Sequence, residues 1–355
     1  MKKIQVYIIG GSGYGGGELL RLLSQHPHVD SIRAVSRKHA GEPFWRVHPN
    51  LRSVVNGTFE TEPDWTAFTK TEQPVVFSAM PHFELAQQLS TLAKIWAKYG
   101  LAERLTLIDL SGDFRLDNAA AFERAYGKPH PDQQALGTFV YGLPEWQKEK
   151  IKGARRIASP GCFATTIQLA LLPLAESKNL GFIAVSAATG SSGSGATPSE
   201  TTHHPTRAND FRAYKVLSHQ HEAEITRLLD AEKTVGYSLA FVPHSAPLVR
   251  GIFATVQLHP PAALELNAKT LAKKYEDFYR DMSFVRLVED TPRVAAVIGS
   301  NFCDIAVHEK SGNVVIMAAL DNLVKGMAGQ AIQNMNIIFG LNETTGLLFA
   351  GGFPV

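Results

Sequence analysis

The chain has 355 residues, 45% of them hydrophobic and 19% charged, with a formal net charge of +2 at pH 7. That length suits two domains with sizeable cores, and so even a charge balance provides neither a basic stripe for nucleic acid nor a charged helix for a membrane surface, which leaves small molecules as the expected partners. Its two cysteines, Cys162 and Cys303, stand far apart without CxxC spacing, so neither a disulfide framework nor a zinc knuckle is suggested and a reducing cytoplasm is expected.

Met1-Lys2-Lys3 ahead of Ile4 to Ile9 has the outline of a signal peptide, but the apolar run is short, contains Gln5 and runs into glycines instead of a cleavage site. It reads as a first buried strand, and no later stretch is long enough to span a bilayer. Gly10 to Gly17 follow at once, and Glu18 to Leu23 then carry apolar residues at helical spacing. Within this strand, turn and helix, Gly11, Gly13 and Gly16 match G-x-G-x-x-G. The missing side chains allow a tight turn and let a pyrophosphate approach the helix N-terminus, so Gly11, Ser12, Gly13, Tyr14, Gly15 and Gly16 are expected to bind a dinucleotide. A flexible glycine-rich turn is the plainer alternative.

A second strand, Ser31 to Ser36, ends at Arg37-Lys38, where an NAD site usually carries an acid for the ribose 2′-hydroxyl. Basic residues there suit a 2′-phosphate, so NADP(H) is expected, with Ser36 and Arg37 beside it; solvated loop charges are the alternative. The segment from His39 to Lys70 carries no recognisable chemistry. Pro74 to Met80 is the next strand, and Pro81-His82 leads into a helix through Leu85, Leu89, Leu92 and Trp96. Ser78 to His82, Pro81 included, would then line the cofactor crevice beyond the strand ends, with His82 only a helix-start residue. Leu105 to Leu110 is another strand, followed by the charged turn Ser111 to Leu116. Arg115 has the planar fork of donors that grips an anion, or it pairs with Asp113 or Asp117 to hold the loop.

Ser159-Pro160-Gly161-Cys162 brings a cysteine to the junction between a strand ending at Ala158 and a helix with a wide buried face through Ile167, Leu169 and Leu171 to Leu174. A helix N-terminus favours the thiolate, which is the nucleophilic form. A small thiol buried under a core helix fits the same residues.

Past Cys162 the pattern changes to longer strands, expected at 182–189, 237–242, 251–258, 283–288, 302–307 and 313–320, with one helix from Leu264 to Tyr279. That predicts a second domain on an antiparallel or mixed sheet. Cys303 lies mid-strand as a core thiol. Gly190 to Gly195 follows a strand, and the N–H groups and hydroxyls of Ser191, Ser192 and Gly193 are expected to form an anion-binding concavity. The polar stretch Ala196 to Lys215, with His203, His204 and Arg207, reads as an ordered functional loop or a subunit contact. Ser218 to Ile225 is expected to open a helix. On regular helical positions His219 and His221 would point to opposite sides, which argues against a shared metal. One histidine there can serve as acid and base, while His221 and Glu224 share a face and can pair. Asp321 to Phe339 is expected to be a long apolar helix.

The blocks Gly10 to Gly16, Asp109 to Leu116, Val140 to Glu145, Ser159 to Cys162 and Asp321 to Ala331, in this order and over nearly the whole chain, resemble the N-acetyl-gamma-glutamyl-phosphate reductases. These are acyl-phosphate reductases of arginine biosynthesis, related to aspartate-semialdehyde dehydrogenase. The resemblance implies that Cys162 is the nucleophile, His219 the acid and base, and NADP(H) the cofactor; by their spacing His221 and Glu224 are expected in support, Asn322 is expected beside the cofactor, and no metal is expected. It further implies an α/β fold: a Rossmann-type doubly wound parallel sheet from residues 1–160 and 321–355, with an inserted α+β catalytic and oligomerisation domain from 161–320. A homodimer or homotetramer follows, acting on a small acyl phosphate, with no nucleic-acid or membrane partner. Gln220 and the serine-rich 190–195 loop depart from the family pattern, which leaves N-succinyl and carrier-linked glutamyl or aminoadipyl phosphates as alternative substrates. A redox-sensing NADP-binding module without turnover is the reading from another class.

Overall fold

The computed structural model describes residues 3–177, 179–232, 234, 236–261 and 266–354. It divides into two compact units, Met1–Pro160 with Met327–Leu348 and Gly161–Gly326 with Phe349–Val355. The returning segment of the first unit therefore begins at Met327, where the sequence suggests Asp321, and the last residues fall with the second unit.

The first unit is built on β1 (Ile4–Ile9), β2 (Val29–Val35), β3 (Phe59–Glu60), β4 (Gln73–Ser78), β5 (Thr106–Asp109), β6 (Val140–Tyr141) and β7 (Arg156–Ala158). They lie in the order β3-β2-β1-β4-β5-β7-β6 and pair in parallel throughout. Strands covered on both faces must be apolar along their length, and Ile4, Val6, Tyr7 and Ile8 of β1 and Val75, Val76 and Phe77 of β4 are fully buried. The strand order reverses between β1 and β4, the switch point where ligands of open α/β sheets bind. The turn after β1 lies there. A Cβ on Gly16 would stand 2.6 Å from the Gly11 backbone, so only glycine lets the turn close on its own helix. That helix, Tyr14–Leu23, starts four residues earlier than its apolar spacing suggests, because the glycines ahead of Glu18 are themselves helical.

The helix Gly329–Ile338 completes this unit. Its buried face is not simply apolar, since Gln330, Gln333, Asn334 and Asn336 are all fully buried. Each buried amide needs partners, and Asn334 donates to the Gly142 carbonyl at 2.9 Å while Asn336 meets His26 Nε2 at 2.9 Å. The expected single helix from Asp321 is instead preceded by a π-helical turn, Val324–Ala328.

The second unit carries β8 (Gly181–Thr189), β9 (Arg212–Ala213), β10 (Tyr237–Ser245), β11 (Ile252–Leu258), β12 (Val285–Leu287), β13 (Cys303–Lys310) and β14 (Asn313–Leu320). Their order is β12-β13-β14-β11-β8-β10-β9, with β8–β10 and β12–β13 parallel and the other pairs antiparallel. Alternation along β8, β10 and β11 buries one face and leaves the other half open, with Phe182 exposed. The helix Cys162–Leu171 lies among the buried elements, and its last carbonyls are satisfied from outside: Tyr275 Oη donates to Ala170 O at 2.5 Å and Tyr279 Oη to Leu169 O. The helix expected from Leu264 is observed as Ala268–Tyr279, and Leu264 and Glu265 lie outside the described residues. Cys303 is fully buried in β13.

Candidate active site

Cys162 is the first residue of its helix, partly exposed, with neither it nor Cys303 in a disulfide. The N-cap is Gly161, which offers no side chain to the helix-end N–H groups. At a helix N-terminus those donors and the helix dipole favour a thiolate over a thiol. Two glycines make room around it. A Cβ on Gly326 would sit 2.8 Å from the Cys162 Cβ, and one on Gly161 would sit 2.3 Å from His221 Nε2.

His219 and His221 lie in the turn ahead of the helix Glu222–Ala231 and not on it, with His221 at the N-cap. The expectation that the two rings point apart is therefore corrected. Freed from helical geometry, their centroids stand 4.6 Å apart, and both rings meet the buried edge of Phe163, at 5.5 and 6.2 Å. No group of three His, Cys, Asp or Glu side chains among the described residues is placed to hold a metal ion.

The backbone N–H of His221 donates to His219 Nδ1 at 3.2 Å. An accepting Nδ1 carries no proton, so neutral His219 bears its hydrogen on Nε2. Burial, then Lys215, pushes its pKa from 6.5 down to about 4, which keeps it neutral at physiological pH. Glu224 is fully buried and links the two sides of the site. One of its oxygens accepts the Gly161 N–H at 3.0 Å, and the other lies 3.9 Å from His221 Nε2.

Tyr214 belongs to this cluster and carries no sequence signal. Its N–H is anchored to Pro243 O at 3.0 Å, and its ring meets His219 at 5.8 Å. Burial and then the nearby Cys162 sulfur raise its pKa, so the phenol stays protonated. Arg207 lies close enough to oppose that shift. The Arg207 guanidinium donates to Ser245 Oγ, to Ala246 O at 2.9 Å and to Thr189 O at 3.3 Å, tying its loop to the ends of β8 and β10. His203 and His204 are exposed on the same loop.

Other expected contacts resolve differently. The N–H groups expected to line an anion concavity are used internally: Ser191 N donates to Leu248 O at 2.8 Å, Ser192 N to Val249 O at 3.0 Å and Gly193 N to Gly190 O at 3.3 Å. A short 3₁₀ turn against residues 248–249 satisfies these three backbone groups. Asn322, expected beside the cofactor, is buried in the second unit, where Oδ1 accepts the Gly251 N–H at 2.7 Å and Nδ2 donates to Ser192 Oγ at 3.0 Å. Arg115 is buried too, with Nε on Ser159 O at 2.7 Å and an Nη on Leu110 O at 2.9 Å. It pins the ends of β5 and β7 in place of the expected grip on an anion. Asp113 accepts the N–H groups of Phe83 and Ala86 at 2.6 and 2.9 Å, capping the helix Glu84–Lys98 from outside.

In the first unit the glycine turn meets the end of β2. Gly13 is the N-cap of Tyr14–Leu23, with no side-chain cap, so the N–H groups of Tyr14, Gly15 and Gly16 face outward from the helix end. Ser36 Oγ donates to Ser12 Oγ at 2.9 Å, bringing the end of β2 to the turn, and Arg37 and Pro81 are exposed. His82 does more than start a helix, since its Nδ1 accepts the Gly112 N–H at 2.8 Å.

A nucleotide-type parallel sheet with a glycine turn, joined in one chain to a mixed-sheet unit that presents a cysteine at a helix start, is the architecture of a two-domain dehydrogenase. Sequence models of the semialdehyde dehydrogenase NAD-binding domain and of the semialdehyde dehydrogenase dimerisation domain match residues 5–154 and 162–322, and the chain belongs to this family. Within it, the chain is 41% identical to an N-acetyl-gamma-glutamyl-phosphate reductase of Methanopyrus kandleri, over 99% of this chain and 100% of that one. It is 39% identical to a [LysW]-L-2-aminoadipate 6-phosphate reductase of Deinococcus radiodurans, over 99% of each chain. The fold is shared with aspartate semialdehyde dehydrogenase II of Vibrio cholerae at a TM-score of 0.70 and 17% identity, covering 96% of this chain and 99% of that one.

Proposed function

We propose that the protein reduces N-acetyl-γ-glutamyl phosphate to the semialdehyde and inorganic phosphate, with NADPH as reductant, in arginine biosynthesis. One observation carries the chemistry: a partly exposed cysteine at an uncapped helix N-terminus, its turn held by the buried Glu224 and flanked by His221. The first unit fits a dinucleotide, because the close approach of Gly16 to Gly11 makes a tight glycine-rich turn before an uncapped helix end. The exposed Arg37 and Lys38 beyond β2 favour a 2′-phosphate.

In this reading the Cys162 thiolate attacks the acyl carbon, the bond from that carbon to the phosphate oxygen breaks, and phosphate leaves with its electron pair. A thioester on Cys162 remains. NADPH, when bound, supplies the hydride that reduces this acyl group. Negative charge on the acyl oxygen is met by helix-end N–H groups, each worth about 3 kcal/mol in such sites, and by the Nε2–H of neutral His219. The C–S bond then breaks, its electrons return to sulfur, and the aldehyde departs. The sequence expectation assigns acid–base work to His219. His221, whose Nε2 lies 3.9 Å from a Glu224 oxygen, is better placed to take the thiol proton, because burial pushes the His219 pKa down and His219 resists a positive charge.

A second reading keeps this chemistry and changes the acyl group to a carrier-linked aminoadipyl phosphate, because the aminoadipate relative is almost as similar as the N-acetylglutamyl one. The test is a panel of N-acetyl, N-succinyl and carrier-linked acyl phosphates with NADPH, following NADPH loss and phosphate release. The N-acetyl form is expected to give the highest kcat/KM. Consumption of none of them would leave the redox-sensor reading.

The half-open face of the second sheet, with Phe182 exposed, supports assembly into a homodimer through this unit, as does the family's description of it as a dimerisation domain. Sedimentation of Phe182→Glu as a monomer would agree; an unchanged sedimentation coefficient would reject that face. Two cysteines outside any disulfide suit a reducing compartment, the cytoplasm in this reading. No helix among the described residues is long and apolar enough to cross a membrane.

A further inference from the structure

The segment that carries no motif, His39 to Lys70, folds against the glycine turn. It places one side chain on the turn's backbone. His48, at the end of the short helix Phe44–Val47, is buried, and its Nε2 lies 2.9 Å from Gly11 O. A carbonyl only accepts, so the ring bears a hydrogen on Nε2. The ring is wedged from two sides. Phe59 meets it at 6.2 Å and is itself packed on Phe44 at 4.9 Å, while a Cβ on Gly17 would fall 2.6 Å from the His48 Nδ1.

The bond acts on one peptide plane. Gly11 N donates to Val35 O at 2.9 Å, which fixes the near side of the residue, and His48 fixes the carbonyl on the far side. In a planar trans peptide the next N–H points opposite to the carbonyl, so drawing Gly11 O toward His48 aims the Ser12 N–H the other way. That N–H donates to no protein group among the described residues.

We propose that His48 is a positioning residue for the dinucleotide, orienting the Gly11–Ser12 peptide so that its N–H is presented to the pyrophosphate; this rests on the first unit's being the dinucleotide site. The experiment compares NADPH binding by fluorescence titration in wild type, His48→Ala, His48→Gln and Gly17→Ala, beside thiol acylation by acyl phosphate without NADPH. His48→Ala is expected to weaken NADPH binding by about tenfold, the loss of one oriented donor, with the acylation rate unchanged. His48→Gln, which can offer its amide N–H to Gly11 O, restores most of the affinity. Gly17→Ala keeps the histidine but displaces its ring, and it weakens binding although alanine favours the helix. Wild-type affinity in His48→Ala or in Gly17→Ala, or no rescue by Gln relative to Ala, would overturn the assignment. A wild type that binds no NADPH would instead remove the dinucleotide reading itself.

Discussion

Glu224 accepts the Gly161 main-chain N–H at 3.0 Å across 63 residues of sequence while its second oxygen stays 3.9 Å from His221 Nε2. One carboxylate therefore sets both the backbone that introduces Cys162 and the charge available to the adjacent imidazole. Glu224→Gln keeps an acceptor for Gly161 and removes the charge. The expected outcome is a fall in kcat of about 100-fold, the lower end of an acid–base contribution, with little change in melting temperature. The pH profile of Cys162 alkylation should shift as well. An unchanged profile would separate Glu224 from the chemistry.

Cys162→Ser should abolish turnover while leaving NADPH binding intact, since the substitution lies in the second unit and the glycine turn in the first. Binding is read by fluorescence titration and turnover by phosphate release. Persistent turnover would take the sulfur out of the scheme.

The two histidines are given different steps. His221→Asn should slow thiol acylation, the step that needs a proton acceptor. His219→Asn should leave acylation closer to normal and slow the overall reaction by about 10²- to 10³-fold, the cost of one oxyanion donor. Rapid-quench measurement of the acylation burst distinguishes them, and the reverse pattern would return the base to His219.

Tyr214→Phe keeps the ring against His219 and removes the hydroxyl that lies near Cys162. Its expected effect is a lower kcat/KM for the acyl phosphate with an unchanged KM for NADPH. An equal change in both would mark a structural role.

Stability should also respond to pH with two opposite contributions. His219 has its pKa lowered from 6.5 to about 4 by burial, so between those values the unfolded chain binds more protons and stability is lost as pH falls. The full effect is on the order of 3 kcal/mol and is complete below about pH 4. Asp109 is fully buried, and burial with the neighbouring Asp113 raises its carboxyl to about 7, so its contribution is present below its unfolded value and lost as pH rises through 7. Asp109→Asn should therefore gain stability over wild type at pH 8 relative to pH 5, and His219→Asn should flatten the acid limb. Chemical denaturation across pH 4 to 8 checks both; an unchanged acid limb in His219→Asn would contradict the buried neutral imidazole.

Local patterns reveal the elements that depend on local physics. The run Ile4 to Ile9, the glycines after it and the apolar spacing beyond them specify strand, turn and helix, because each signal lies within one element. Likewise the switch from strand–helix alternation to successive strands after Cys162 marks a new kind of sheet. The histidine pair escapes helical periodicity because the helix opens at Glu222, four residues beyond Ser218, and leaves both rings in a turn where i and i+2 can face each other. Arg115 and the Ser191–Gly193 loop look like anion binders by residue type. Nearby carbonyls and amides claim those groups in the folded chain, since buried polar atoms pair with whatever is closest.

The sequence by itself determined the two sheets, the glycine turn after the first strand and the helix that begins at Cys162. Each of these follows from side-chain periodicity or from glycine within a short window. Only the tertiary structure decided that Glu224 holds Gly161, that Tyr214 stands near the sulfur and that His48 steadies Gly11. Those partners are 63, 52 and 37 residues apart, and a hydrogen bond or charge acting over such separations leaves no periodic trace in the chain.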